Sequence, residues 1–293
     1  MYLKSSTTVK VFATGLKGYK TVQAISEETK DVIVVIGRDL NVKNDFSKEI
    51  ESLCEDNKLE YTYDTKSNSK EFGLAIAAGW QRMIFDIPSS ALIVFHDSLL
   101  PRYRGFNPLV TALLNKDDVI GLTALLAADD YDCGDIISQI KIPVSYPIVI
   151  EDAIKIVSEA YYDVAKKAYA MFVSNKLIGE PQDNELATYS LWRDNDDYSI
   201  DWRQASEEIQ QLVNCVGYPY LGASTFIGDD QVRIKEVSLV KDVVIENRTP
   251  GKIIFFDNGK PVIVCGSGLL KLDEIEDNDG NLVNIKKLRT RFK

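Results

Sequence analysis

His96 is the only histidine in a chain of 293 residues, and it closes an apolar run made of Ala91, Leu92, Ile93, Val94 and Phe95. A short run with β-branched residues at its middle fits a strand buried on both faces of a parallel sheet. Open α/β sheets hold their ligands just outside the carboxyl ends of the strands. A titratable ring at that place is badly sited for packing and well sited for chemistry. A second polar cluster, Asp129, Asp130, Asp132 and Asp135, follows a second apolar run at 119–127. A carboxylate beside a histidine fixes the ring and favours its charged form. Such a pair can act as general base toward an incoming nucleophile. A ring satisfied by a backbone carbonyl is the alternative at this position. One histidine and four scattered cysteines (Cys54, Cys133, Cys215, Cys265) make a poor zinc site. Cys133 has no second histidine to activate it, and buried thiols are ordinarily inert.

The elements needed to position these residues are readable along the chain. Residues 10–15 and 31–37 read as buried strands, the first ending in a Gly15/Gly18 turn that lacks the glycine pattern of a dinucleotide site. Residues 44–59 read as a helix, with Phe46, Ile50 and Leu53 on one face and Asn44 as its cap. Strands are expected at 60–63, 72–80, 91–96, 119–127 and 136–142, and helices at 107–114 and about 150–175. Alternation of this kind gives a doubly wound, mostly parallel sheet. Composition shifts after Gly179, where residues 180–185 form a polar, proline-bearing linker. Short strands separated by Gly- and Asn-rich turns follow, for example 232–237, 252–256 and 261–265. The expected organisation is therefore a catalytic domain over 1–180 and a small β-rich barrel over 181–293.

Charge narrows the partners. The formal net charge is −10, with a pI near 4.8, so extensive binding to a polyanion is disfavoured. No apolar run reaches the length of a membrane span, and the N-terminus lacks the apolar core of a secretory signal. The separated cysteines read as reduced thiols of a cytoplasmic protein.

The residues around His96 also carry a resemblance. His96, Ser98, Leu99, Leu100, Pro101, Arg104 and Gly105, with Asp132, Gly134, Asp135 and Ile136 downstream, resemble the two signature blocks of the folate-dependent formyltransferases. Ala187 to Tyr189, Asp201-Trp202, Pro250-Gly251 and residues 268–272 are similar to that family's C-terminal domain. The resemblance implies a Rossmann-like catalytic domain followed by an OB-like barrel, with N10-formyltetrahydrofolate as formyl donor. It implies that His96 is the catalytic histidine and Asp132 its carboxylate partner. It places the pterin at the loop of Trp80, Gln81, Arg82, Met83 and Ile84, with Leu100 and Asp129 completing the donor site. The family's asparagine, two residues before the histidine, polarises the formyl oxygen; here that position is Val94. Asn107, at the start of the next helix, is the candidate replacement, with Ser98 or a backbone N–H as other sources.

Family members of this two-domain length formylate methionyl-tRNA or amino sugars carried on nucleotides. Acidity favours the sugar, and residues 180–185 carry no lysine or arginine. A diphosphate needs one or two arginines, and Arg102 and Arg104, with Ser98, are the candidate substrate contacts. The expected acceptor is thus a nucleotide-linked amino sugar destined for a surface polysaccharide such as the O-antigen of lipopolysaccharide, with no nucleic-acid or membrane partner. A methionyl-tRNA formyltransferase and a catalytically impaired binding homologue are the alternatives. A homodimer is left open, as are the sugar, its amine position and the nucleotide.

Overall fold

The computed structural model describes residues 5–65 and 70–293. Mostly apolar runs with no solvent-facing side, Lys10 and the closing His96 being themselves buried, form strands covered on both faces. They appear as β1 (Val9–Ala13), β2 (Val32–Ile36), β4 (Leu74–Ala78) and β5 (Leu92–His96), with short β3 (Glu60–Thr62) at the edge. Helix α1 (Gly15–Glu28) joins β1 to β2, and α2 (Ser47–Asn57) joins β2 to β3. β6 (Arg104–Gly105), α3 (Pro108–Leu114), β7 (Val119–Leu126), β8 (Ile136–Pro143), α4 (Ile150–Val173) and β9 (Tyr189–Ser190) complete the first part of the chain.

The main sheet runs β3-β2-β1-β4-β5-β7-β8. β3 through β5 are mutually parallel, and β7 and β8 add as antiparallel strands. The order reverses direction between β1 and β4. The carboxyl ends there, at Thr14 and Gly79, open the crevice that doubly wound sheets use for ligands.

α2 begins three residues later than the expected Asn44 cap. Asn44 Oδ1 instead accepts the Phe46 N–H (2.9 Å) in a turn that precedes the helix, because Phe46 is left-handed with φ 56°. The linker expected at 180–185 is not one. Glu180 and Ile136 exchange two backbone hydrogen bonds of 2.8 and 2.9 Å, and Ser190 pairs with Gly105 across β6 and β9. Accordingly the first compact unit comprises the described residues up to Ala112, Asp117–Val144 and Asp152–Trp192. That unit runs through Trp192.

The second unit holds Leu113–Lys116, Ser145–Glu151 and Arg193–Lys293. Its elements are α5 (Ser206–Val216), β10 (Ala223–Ile227), β11 (Asp230–Val240), β12 (Ile253–Asp257), β13 (Lys260–Val264) and β14 (Leu269–Glu276). The strands form one antiparallel sheet, β10-β11-β14-β13-β12. Residues 291–293 lie across its two edges. Lys293 exchanges backbone bonds with Phe226 of β10 (3.0 and 3.2 Å), and Phe292 N–H reaches Gly251 O (2.8 Å) just before β12. Phe292 is buried against Trp202, with ring centroids 5.7 Å apart, so this seam gives the sheet its barrel-like closure.

Candidate active site

β5 delivers His96 to the carboxyl edge of the sheet, buried to 7% exposure. Both surroundings foreseen for it are present on one ring. Nε2 lies 2.8 Å from Tyr103 O, and Nδ1 lies 3.3 Å from Asp132 Oδ1. Two acceptors face two ring nitrogens, so a ring with a single proton leaves one of these contacts unmade. That is a suitable setting for a group that gains and gives up a proton.

Asp132 sits in the loop between β7 and β8 in the left-handed region, with φ 57°. Its second oxygen, Oδ2, accepts the Gly105 N–H at 2.9 Å. Its main chain is clamped from the segment 180–192: Gln182 Nε2 donates to Asp132 O (2.8 Å) and Gly134 O (2.7 Å). Gly134 is required there, since a Cβ would lie 1.9 Å from Leu126 O. Arg104 holds the clamp. Its Nε and Nη2 donate to Gln182 Oε1 (3.1 and 2.8 Å), and Nη2 also reaches Asn184 Oδ1 (2.8 Å).

The expected substrate contacts divide accordingly. Arg104 is buried, and its Nε and Nη2 are engaged by Gln182 and Asn184 within the loop. Ser98 is likewise buried, its hydroxyl donating to Arg102 O (2.7 Å) and its carbonyl accepting from Thr123 Oγ1 (2.6 Å). Arg102 is half-exposed, lies over the Tyr103 ring (4.3 Å) and pairs with Asp117 (2.8 Å). Asn107 is half-buried with φ 48°. Its carbonyl accepts the Thr111 N–H and hydroxyl (3.1 and 3.0 Å), while its amide makes no hydrogen bond among the described residues. Val94 points the same way as His96, two residues along the strand, and packs with Trp80, Ile84, Ile87 and Ala127 on a cluster that includes Phe12, Ala77 and Leu92.

The loop after β4 suits a flat heterocycle. Trp80 stacks edge-on against Phe12 (centroids 5.1 Å apart) and Ile84 joins the same apolar wall. Among the described residues, the main-chain groups of Gln81, Arg82, Met83 and Ile84 enter no backbone–backbone hydrogen bond. An apolar wall beside unused amide and carbonyl groups fits a pterin recognised by main chain. Leu100 is buried, its N–H on Thr123 Oγ1 (3.2 Å) and its carbonyl on Gln139 Nε2 (2.8 Å). Asp129 is exposed at the start of the loop that carries Asp132.

Several participants were not singled out from sequence. Asp97, next to His96, is paired with Lys17 Nζ and accepts the Tyr161 hydroxyl at 2.7 Å. Burial, with the Asp97 charge, holds the Tyr161 phenol well above its ordinary value, so it serves as a fixed donor. The adjacency of Asp97 to His96 and the place of Lys17 between two glycines were available signals. Gln182 gave none, being one amide in a polar stretch.

A doubly wound domain with a clamped histidine–aspartate pair at its sheet edge, followed by a barrel-like β unit, defines a group-transfer enzyme of the type expected. The chain belongs to the formyl transferase family: residues 9–173 match the formyl transferase model and residues 194–293 match its C-terminal domain model. The family draws its formyl group from a folate. The chain is 29% identical over 245 residues to the methionyl-tRNA formyltransferase of Thermodesulfovibrio yellowstonii, covering 80% of this chain and 76% of that protein. In structure it is similar to an N-formyltransferase from Helicobacter canadensis solved with folinic acid and dTDP-3-aminofucose (TM-score 0.68, 15% identity, 90% of this chain and 98% of that one). It is also similar to HypX from Aquifex aeolicus (TM-score 0.64, 15% identity), where it covers 96% of itself and spans 46% of that chain.

Proposed function

We propose that this chain transfers a formyl group from N10-formyltetrahydrofolate to the amine of a nucleotide-linked amino sugar, in the cytoplasm, for a surface polysaccharide. The folate supplies the formyl group. His96 takes the proton that the attacking amine must lose and returns one as the folate nitrogen departs. Asp132 orients the ring and balances its charge. Arg104 and Gln182 act at one remove, as positioning residues for Asp132. Val94 supplies no donor to the developing oxyanion, and the Asn107 amide is the side chain assigned to that task.

The observation that carries the choice of acceptor is charge. A chain with net charge −10 meets a tRNA with repulsion, whereas a nucleotide sugar brings only a diphosphate. The methionyl-tRNA reading has its own support in the sequence relatives, which carry that name. Turnover with N10-formyltetrahydrofolate and a panel of nucleotide amino sugars, run beside methionyl-tRNA at two salt concentrations, tests the choice. Formylation of a sugar amine with no salt-sensitive tRNA binding is expected. Formylation of methionyl-tRNA alone reverses the assignment, and no turnover on either acceptor leaves a binding homologue.

A further inference from the structure

Both chain neighbours of His96 are held by one side chain of α4. Tyr161 is fully buried, and its ring packs edge-on against Phe95 with centroids 5.4 Å apart. Its hydroxyl reaches Phe95 O (3.4 Å) and Asp97 Oδ1 (2.7 Å). The Ser98 N–H turns back onto His96 O (2.8 Å), so the ring leaves the sheet between two fixed points. Asp97 is one of those points, and it carries a charge.

The second oxygen of Asp97 meets Lys17 Nζ. The side chains of this pair are 16% and 13% exposed, so salt screens their charges only weakly. Lys17 lies in the first turn of α1, which Gly18 lets press onto β1: a Cβ at Gly18 would lie 2.7 Å from Ala13 C. At Gly79, just after β4, a Cβ would lie 3.7 Å from the Lys17 Cβ. β4 stands between β1 and β5 in the sheet. The lysine therefore spans the end of β4 to neutralise a carboxylate at the end of β5.

The charges around the ring sort by element. Asp132, from the loop between β7 and β8, faces Nδ1, while Tyr103 O faces Nε2. The Arg104 guanidinium, from β6, is turned to Gln182 and Asn184. Burial, with the charges of Asp97 and Asp132, keeps Tyr161 protonated, so α4 brings a donor without a charge. Asp97 is the remaining anion, in the residue next to the ring. Uncancelled, it would favour the charged imidazole and leave less of the neutral form that can accept a proton. We propose that Lys17 is a positioning residue for proton transfer at His96: it cancels the charge of Asp97, so that Asp97 anchors Tyr161 without adding to the pull of Asp132 on the ring proton. This role rests on His96 carrying the proton in formyl transfer.

His96 is the only histidine of the chain, so a single imidazole signal reports it. The test is the pH titration of that signal by NMR in the full chain and in variants, beside the pH profile of kcat. Lys17→Met leaves Asp97 uncancelled and is expected to raise the midpoint by about half a pH unit or more. Asp97→Asn still offers Tyr161 an acceptor but leaves the ammonium bare, and it is expected to lower the midpoint by a similar amount. The double variant and Lys17→Arg are expected to return it to the parental value. The acid limb of kcat is expected to move the same way, because only the neutral ring accepts a proton. A purely structural pair would lower stability and kcat without opposed shifts, so midpoints that stay in place or move in one direction overturn the proposal. If Lys17→Met does not fold, Asp97→Asn decides alone: a lowered midpoint supports the proposal, and an unchanged or raised one overturns it. Opposed shifts in a chain that formylates no amine would keep the charge cancellation and remove the formyl-transfer reading, so the two failures are distinct.

Discussion

Asp132 divides its two oxygens between His96 Nδ1, at 3.3 Å, and the Gly105 N–H, at 2.9 Å. One carboxylate therefore ties the His96 ring to the loop that leads away from it. The two side chains are linked through one carboxylate, and the proposed pairing has an expected kinetic consequence.

His96→Asn and Asp132→Asn are each expected to lower turnover roughly 100- to 10,000-fold. Asparagine tolerates the left-handed backbone at 132 and still accepts from Gly105, so thermal melting is expected to shift by only a few degrees for Asp132→Asn. The double mutant is expected to lose little beyond the worse single one, since residues acting together are not additive. Losses that multiply in the double mutant would falsify the coupled pair.

Asn107 needs a substitution that separates its amide from its backbone. Asn107→Ala places alanine at φ 48°, which strains the chain about 1–2 kcal/mol whatever the amide does. Asn107→Gly removes the amide without that strain. If the amide polarises the formyl oxygen, kcat is expected to fall roughly 100- to 1000-fold in Asn107→Gly with an ordinary melting curve. Val94→Asn, which restores the donor of the family pattern, is expected to raise kcat and to lower the melting temperature, because it puts an amide among apolar neighbours. Full activity in Asn107→Gly assigns the role to another donor.

Arg104 offers a clean contrast between a phosphate clamp and a loop lock. As a lock, Arg104→Lys cannot reproduce the fork on Gln182 and Asn184. It is expected to lower both kcat and the melting temperature, with Gln182→Ala giving the same phenotype. A rise in KM for the nucleotide sugar alone, with kcat kept, is the signature of a clamp.

The thiols separate by burial. Burial pushes Cys54, Cys215 and Cys265 up to about 12, where almost no thiolate exists at neutral pH. Cys133 is half-buried, beside Asp132, with its thiol on Asp130 O (3.4 Å). Maleimide is expected to label Cys133 first, and labelled protein is expected to lose turnover. Mass mapping of the labelled peptide and an unlabelled Cys133→Ser control check this.

Acid is expected to loosen the loop after β2 before the sheet. Burial opposes ionisation of Asp45, but the N–H and hydroxyl of Ser47 and the N–H of Asp39 outweigh it, so its carboxyl is held below the usual 3.8. A depressed carboxylate contributes stability above its unfolded value and loses it as pH falls through the folded one. Asp45→Asn is expected to flatten that part of the stability profile below about pH 4. Denaturant titrations at several acid pH values read the difference.

What sequence could reveal followed from local pattern. Apolar runs marked β2, β4 and β5, a run interrupted by Lys10 marked β1, and the lone histidine at the end of β5 marked the candidate site. The strand order and the two antiparallel additions depend on long-range pairing, which apolar runs do not encode. The same holds for Gln182 and Ser190. Gln182 lies in a stretch whose polarity reads as a linker and Ser190 just beyond it, yet their partners, Asp132 and Gly105, are decided by how the chain folds back within the first unit. Ser98 and Arg104 were legible as important but not as internal, since a hydroxyl or guanidinium looks alike whether it faces a substrate or a carbonyl.

The seam made by residues 291–293 carries a hazard as well as a closure. A strand with an unpaired side is a template for any other strand that meets it. Ser199 and Ile200 cover the start of β10, where the Ile200 N–H donates to Ser224 O (2.8 Å), while the end of β10 and the start of β12 are covered by the main chain of residues 291–293, with Phe292 as the buried anchor of the three. Fraying at this one place would bare a stretch of both borders of the sheet at once, turning a self-contained fold into one that can pair with a neighbouring copy as concentration rises.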